Sequence, residues 1–574
     1  MTNAQVARIF AEVADILEIL GENPYRVQAY RRAAQIIENL TEDIVDLARR
    51  DELEKIPGIG ASIAQKVKEI VATGRLKQHE ELKAKIPPGL LEMLQIPGMG
   101  PKKVLLVYKR LGIDSVQKLE EAAKAGRLRG LPGMGAKTEQ NILRGIQLLR
   151  STRGRLPLGI ALPAANKIVA ELKELPQVER ITTAGSLRRM KETIGDIDIL
   201  ITSPDPKPVM DRFVSMPMVK EVLAHGTTKS SVIIDAGTQV DLRVVPPESF
   251  GAAQQYFTGS KDHNIRLREL AIKKGLKINE YGVFKADTGE RLAGEHEEEM
   301  YAALDMPWIP PEMRENWGEI EAALEGRLPK LIELPDIKGD LHVHTKWTDG
   351  GHTIEEMARK AKELGYEYLG VCDHSKAMTF VHGLDERRLL EQVKEIRALN
   401  ERLKGIRVLT GVEVDILPDG SLDLAEEVLD QVDIVVASVH SKFKMKEAEM
   451  TERIIRAMRK RCVDIIGHPT GRIIGEREPY EVDFDKLLEV AAETKTALEI
   501  NAFPERLDLK DVHARAAKER GVMLAINTDA HSVFQLEWII FGVAVARRGW
   551  VEPQDVLNTK PLEELLEWLH HRYD

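Results

Sequence analysis

Nine residues between positions 340 and 531 carry the chemistry that divalent metal ions need. They are His342 and His344 in DLHVH, Asp349 in TDGG, His374 in CDHS, Glu413 in GVEVD, His440 in ASVHS, His468 in GHPT, and Asp529 with His531 in TDAH. Several of these clusters directly follow an apolar run: YLGVCDH, IVVASVH, VDIIGHP and VMLAINTDAH. A parallel barrel reads this way when strand after strand delivers a ligand at its C-terminal end. The set contains imidazoles and carboxylates and no cysteine. It suits zinc, manganese or iron and excludes a closed Cys-type structural zinc site. Nine ligands are too many for one ion and suffice for two or three if Glu413 bridges. Clustered divalent ions ionise a water and clamp the attacking and leaving oxygens of a phosphoester. The residues alone therefore point to metal-assisted phosphoester hydrolysis.

A second constellation lies in AGSLRRMKETIGDIDILI. Asp196 and Asp198 stand at i and i+2 of an expected strand, so both carboxylates face one side. Asp241, in TQVDLRVV, lies on a later strand. Three carboxylates converging from strands can hold two Mg²⁺ ions, one at a 3′-hydroxyl and one at a nucleotide's β,γ-phosphates. Upstream, Gly185 and Ser186 allow close backbone approach, and Arg188 and Arg189 offer charge to a triphosphate. A solvent-facing pair on a strand edge would look like DxD alone, but not like this longer spacing.

The elements that must position these groups exceed one core. A chain of 574 residues predicts three to five domains. No apolar run is long enough to span a membrane, and the N-terminus MTNAQVARIF lacks a basic-then-apolar leader. Only Cys372 and Cys462 are present, which fits a reducing cytosol and a cytoplasmic protein. The net charge of −10 hides an uneven distribution: residues 1–153 hold 25 basic against 19 acidic residues, and residues 332–574 hold 34 against 46. On the basic part sit IPGIG (56–60), IPGMG (96–100) and LPGMG (131–135), each followed by an amphipathic helical run. Paired glycines, Gly58 with Gly60, Gly98 with Gly100, and Gly133 with Gly135, allow a tight turn whose backbone N–H groups meet a phosphate at a helix start. The stretch 2–153 reads as almost all helix. After RGRLP (153–157) a helix over 161–175 precedes strands in VERITTAG, DIDILIT, VIIDA and VDLRVV. WIPPEMREN and EGRLPKLIELPDIKGD read as a connector, and βα units follow from 340.

The PGxG repeats resemble the helix-hairpin-helix motif, which contacts DNA backbone and reads no bases. The GS-then-DxD segment resembles the nucleotidyltransferases, and more closely the family X DNA polymerases with a polymerase-beta-like core. YFTGS (256–260) is similar to that family's sugar-contact segment, and INEYGVF (278–284) also follows its pattern. The resemblance places Tyr256, Phe257 and Gly259 against the nucleotide, with Asn264 and Arg268 at the minor groove of the nascent pair. NPYRVQAYRRAAQII resembles the small domain that grips a gap's 5′-phosphate, with Arg26 and Tyr30 at phosphate-contacting positions. Lys66 matches the lysine of a sugar-phosphate lyase. Ser62 stands where that family often has a second phosphate-binding lysine, which leaves the lyase reaction open.

The order HxH, D, H, E, H, H, DxH resembles the PHP (polymerase and histidinol phosphatase) family. The resemblance gives one metal to His342, His344, Glu413 and Asp529, a second to Glu413, His440 and His468, and a third to Asp349, His374 and His531. The whole chain is similar to bacterial and archaeal family X polymerases with a C-terminal PHP domain. The resemblance implies a multidomain α+β and α/β protein. Helical helix-hairpin-helix domains (1–85, 86–153) precede a nucleotidyltransferase palm with a mixed sheet (154–247), a nascent-pair domain (248–331) and a distorted (β/α)7 PHP barrel (332–574). It implies a monomer that binds Mg²⁺ in the palm and two or three Mn²⁺ or Zn²⁺ ions in the barrel. Its substrates would be dNTPs and gapped or nicked DNA with 3′-hydroxyl and 5′-phosphate ends. The implied activity is gap filling in base-excision repair with a Mn²⁺-dependent 3′→5′ exonuclease, and abasic endonuclease or 3′-phosphatase reactions besides. Three alternatives compete: a barrel that is only a metal-stabilised scaffold, a small-molecule phosphatase, and a non-catalytic repair scaffold.

Overall fold

The computed structural model describes residues 3–38, 44–56, 58–96, 98–152 and 155–571. Pro57 and Pro97 of the repeated turns, and the expected boundary at 153/154, lie outside them. The chain divides into two compact units: residues 1–153, with 475–477, and the remainder.

The first unit is helical. Helices α1 (Asn3–Ile19) and α2 (Pro24–Glu38) pack with Phe10 and Tyr30 in ring contact at 6.0 Å. Each repeated turn then leads into a helix: α3 (Ala61–Thr73), α4 (Pro101–Leu111) and α5 (Ala136–Thr152). The three turns share one hydrogen bond, Ile59 N to Ile56 O at 3.0 Å, Met99 N to Ile96 O at 2.9 Å and Met134 N to Leu131 O at 3.0 Å. Ile59, Met99 and Met134 plug the core. The first glycine of each turn, Gly58, Gly98 and Gly133, has positive φ, a conformation a side chain would strain.

The second unit begins with helix α6 (Leu158–Lys173) on a five-stranded mixed sheet. Its strands are β1 (Arg180–Thr183), β2 (Asp196–Thr202), β3 (Val219–His225), β4 (Lys229–Ile234) and β5 (Gln239–Val244), in the order β1-β2-β5-β4-β3. Only β2 and β5 run parallel. β3 was not expected. Most of its residues are exposed on both faces, so it shows no alternation, and pairing with β4 holds it in place. A short helix α7 (Gly185–Arg188) follows β1. Helices α8 (Phe250–Thr258) and α9 (Lys261–Lys273) and the antiparallel strands β6 (Leu276–Asn279), β7 (Gly282–Lys285) and β8 (Arg291–Ala293) build the next segment. Its core holds a buried ionic cluster. Burial alone would raise the Glu297 carboxyl, but Arg314 and Arg188 hold it well below the usual carboxylate range.

From Gly339 seven parallel strands follow in sequence order: β9 (Gly339–Val343), β10 (Tyr368–Val371), β11 (Arg407–Asp415), β12 (Ile434–Ser438), β13 (Ile465–Ile466), β14 (Ala497–Asn501) and β15 (Leu524–Asn527). An isolated bridge between Val343 and Ala530 nearly closes the ring. These strands are buried on both faces, as parallel strands are. One end of the interior packs Leu341, Tyr368, Leu409 and Ile434 against Leu565 and Leu569 of the last described helix. The expected seven-stranded barrel and mixed palm sheet are both present.

Candidate active sites and family

The register of the palm sheet sets its acidic site. Asp198 on β2 lies directly opposite Asp241 on the parallel neighbour β5, and Asp196 opposite Gln239. Burial, then Asp196 and Asp241, push the Asp198 carboxyl up to about 6. Such unneutralised charge fits a divalent cation. Asp241 is held below its ordinary range, because Lys229 at 2.7 Å, Ser231 and Gln239 outweigh its burial. Ala184 N donates to Asp198 O at 2.8 Å and ties the Gly185–Ser186 turn to the acid strand. Gly185 has φ +63°, and a Cβ there would come within 2.9 Å of the Asp198 carboxylate.

Arg189, Tyr256, Phe257, Gly259, Asn264 and Arg268 line one pocket of about 290 Å³. Tyr256 and Phe257 meet edge to face at 5.2 Å. Asn264 donates to Tyr256 O at 2.8 Å, and Arg268 Nε to Asn264 O at 3.2 Å. Six of the expected nucleotide-binding residues are thus together. Arg188 is not with them. Its guanidinium forks onto Glu297 at 2.7 and 2.8 Å and onto Thr258, so the charge expected for a triphosphate is spent on the fold. In the first unit, Lys66 Nζ donates to Ser62 Oγ at 2.8 Å and lies 5.9 Å from the Tyr30 ring. Tyr30 is buried and donates to Gln78, while Arg26 is exposed beside Glu22.

The barrel gathers all nine expected ligands at the C-terminal ends of its strands. Three groups have ligand atoms within 4.8 Å of one another: His344, Asp349, His374 and His531; His342, His344 and Asp529; and His374, Glu413 and His440. His344 and His374 each belong to two groups, so the sharing differs from the partition expected above. His468 Nε2 lies 3.0 Å from Glu413 Oε1. Among the described residues the palm carboxylates form no group this tight. Burial would raise the Glu413 carboxyl, yet His440, His374 and His342 hold it far below its usual range. His344 Nδ1, His468 Nδ1 and Glu413 Oε2 are buried and make no hydrogen bond in the described structure. Buried polar atoms left this way are costly, and divalent ions would satisfy them. The residues fit metal.

One partner was missed. Glu499 on β14 is fully buried, accepts from the His342 ring at Nδ1 at 2.8 Å and from the His468 backbone N–H at 2.6 Å, and so orients the first ring and anchors the loop that carries the second. Its signal was available: ALEIN, like GVEVD, places an acid in an apolar strand.

The chain is similar over nearly its whole length to the DNA polymerase/3′-5′ exonuclease PolX of Bacillus subtilis (strain 168). The two are 41% identical over 571 residues, 99% of each chain. The chain belongs to the PolX family. Its segments match the models for a helix-hairpin-helix domain (1–76), a SAM-like helix-hairpin-helix tandem (90–147), the DNA polymerase beta palm (156–252) and thumb (253–315), and the PHP domain (340–503). A probable phosphatase of Thermoanaerobacter sp. (strain X514) is 33% identical over 233 residues, 38% of this chain and 89% of that one. DNA polymerase lambda of Arabidopsis thaliana is 27% identical over 347 residues, 54% of this chain and 62% of that one. As a family X polymerase with a PHP domain, the chain carries both halves in one polypeptide. None of its described helices is long and apolar enough to cross a membrane.

One prediction arises at the palm. With its carboxyl raised from 3.8 to about 6, Asp198 is costly to ionise in the metal-free fold, so stability falls as pH rises from about 4 through 6. Asp198→Asn is expected to stabilise the metal-free protein at pH 8 by about 2 kcal/mol, after allowance for partial solvation, and to change nothing at pH 4. Urea unfolding in EDTA at both pH values measures this, and equal midpoints at pH 8 would refute it.

Proposed function

We propose that this chain extends DNA 3′ ends by nucleotidyl transfer at the palm and removes 3′-terminal nucleotides at the barrel, filling short gaps in base-excision repair. The observation that carries the reading is Asp198 set against Asp241, with Arg243 reaching from Asp241 at 3.5 Å to the Phe257 ring of a nucleotide-sized pocket at 4.7 Å. Asp196, Asp198 and Asp241 would hold Mg²⁺, and the nine barrel ligands two or three Mn²⁺ or Zn²⁺ ions. Bound divalent ions supply Lewis acidity toward phosphate and lower the pKa of a coordinated water or hydroxyl. The chain's residues do the rest. Asp241 faces the primer terminus and helps to deprotonate its 3′-hydroxyl. Ser186 and Arg189 neutralise the triphosphate as pyrophosphate leaves. Tyr256 and Phe257 exclude a 2′-hydroxyl, and Asn264 with Arg268 faces the nascent pair.

The helix-hairpin-helix turns hold the DNA backbone, with Arg26 and Tyr30 at a gap's 5′-phosphate. The same proposal includes a monomer acting in the cytoplasm on gapped or nicked DNA. Lyase chemistry at Lys66, and barrel reactions on abasic sites or 3′-phosphates, are extensions of it.

The test is a 5′-labelled primer on a one-nucleotide-gapped duplex, with Mg²⁺ or Mn²⁺, with and without dNTPs. Extension by one nucleotide with dNTPs, and Mn²⁺-dependent shortening without them, is expected. Extension without shortening reduces the barrel to a scaffold. The absence of both products overturns the reading.

A further inference from the structure

The polymerase half and the barrel share a cavity of about 380 Å³. One wall is Met190–Thr193, which directly follows Arg189, together with Arg155. The other is Lys510 and Asp511, at the start of helix α10 (Asp511–Glu519), with Arg548. Arg548 reaches across the junction, donating to Arg189 O at 2.9 Å and pairing with Glu315 at 3.0 Å and Asp511 at 2.7 Å. Glu315 also takes Arg189 at 3.1 Å, with Lys191 at 3.8 Å. Glu192 is occupied by Arg472 at 2.9 Å. Among the described residues Arg155 bonds the neutral Thr193, at 3.0 Å through its hydroxyl, and Lys510 has no carboxylate partner.

The charge around the cavity does not balance. Arg155, Lys191, Lys510 and Arg548 line it against Asp511 and against Glu192, which Arg472 already takes. A cavity large enough for a small molecule, with an excess of cations at its wall, suits a small polyanion. Chain position narrows the class. The cavity starts one residue past the arginine assigned to the triphosphate.

We propose that the barrel lends Lys510 to the polymerase site, where it binds the phosphate tail of the incoming nucleotide and the pyrophosphate that leaves. In this arrangement Arg548 is a positioning residue that holds the Arg189 turn. The inference rests on the polymerase reading and adds a cation from the other domain to it.

Inorganic pyrophosphate is the probe, titrated as an inhibitor of gap filling by the full chain, and by calorimetry with Mg²⁺. Lys510→Ala is expected to weaken pyrophosphate about tenfold and to raise KM for dNTP with little change in kcat, as loss of one charge-assisted contact does. Lys510→Arg restores both, which a merely structural role would not predict. Thermal melting of each variant separates misfolding from lost binding. Lys510→Ala with wild-type pyrophosphate inhibition overturns the proposal, and so does a wild-type chain that fills gaps but does not bind pyrophosphate. A wild-type chain that fails to incorporate any nucleotide overturns the polymerase reading itself.

Discussion

Asp198→Ala is expected to lose nucleotide incorporation by about 10³-fold or more while 3′-shortening stays within about twofold of wild type. A carboxylate that helps hold the catalytic ions contributes several kcal/mol to the transition state, and each 1.36 kcal/mol is tenfold in rate. Asp198 sits on β2 opposite Asp241, and no barrel ligand shares its strand. The converse variant, His440→Ala with His468→Ala, removes two imidazoles lying 3.2 and 3.0 Å from Glu413. It is expected to lose shortening and retain extension. Primer extension and exonuclease assays on the same preparations decide the matter, and loss of both activities in either variant would sink the two-site reading.

The second large effect centres on Glu413. Five imidazoles surround this one buried carboxylate: His342 at 3.6 Å, His344 at 3.8 Å, His374 at 2.7 Å, His440 at 3.2 Å and His468 at 3.0 Å. Glu413→Ala removes the one carboxylate those five rings share, leaving only outer partners, such as Glu499 for His342 and Asp529 for His344. Metal content measured by mass spectrometry is expected to drop by at least one ion per chain. Exonuclease activity is expected to fall about 10³-fold, the loss that follows if this carboxylate serves more than one ion. Unchanged metal content would show that the histidines bind without it. Gap filling is expected to persist, since Glu413 belongs to the barrel core.

Much of this was legible in the residues because each half repeats a local rule. Barrel ligands recur after apolar runs, so their strand ends could be read one by one. The DxD spacing on β2 showed that both acids share a face. The PGxG turns recur with the same hydrogen bond, so three copies could be recognised from any one.

What escaped depended on distant partners. β3 exists through pairing with β4, and its own pattern is silent. Arg188 looked equivalent to Arg189. Distant acids hold both, Glu297 on Arg188 from 109 positions away and Glu315 on Arg189 from 126, and what distinguishes them is that only Arg189 also lines the nucleotide-sized pocket. Glu499 lies in a strand like the others, but its role comes from His342, 157 positions earlier. Which imidazole shares which carboxylate was equally hidden, because ring orientation is set by this inner layer of partners.

The near-closure of the barrel by Val343 and Ala530 bears on the order in which the two ligand sets are made. The palm acids have all left the ribosome once Asp241 and a few tens of residues beyond it are made. The hydrolytic site needs Asp529 and His531, beside the seam that joins the first strand to the last. A chain made only that far carries its three palm acids but neither the full hydrolytic ligand set nor the Arg548 that ties the Arg189 turn. The hydrolytic set is complete only once translation has passed the seam.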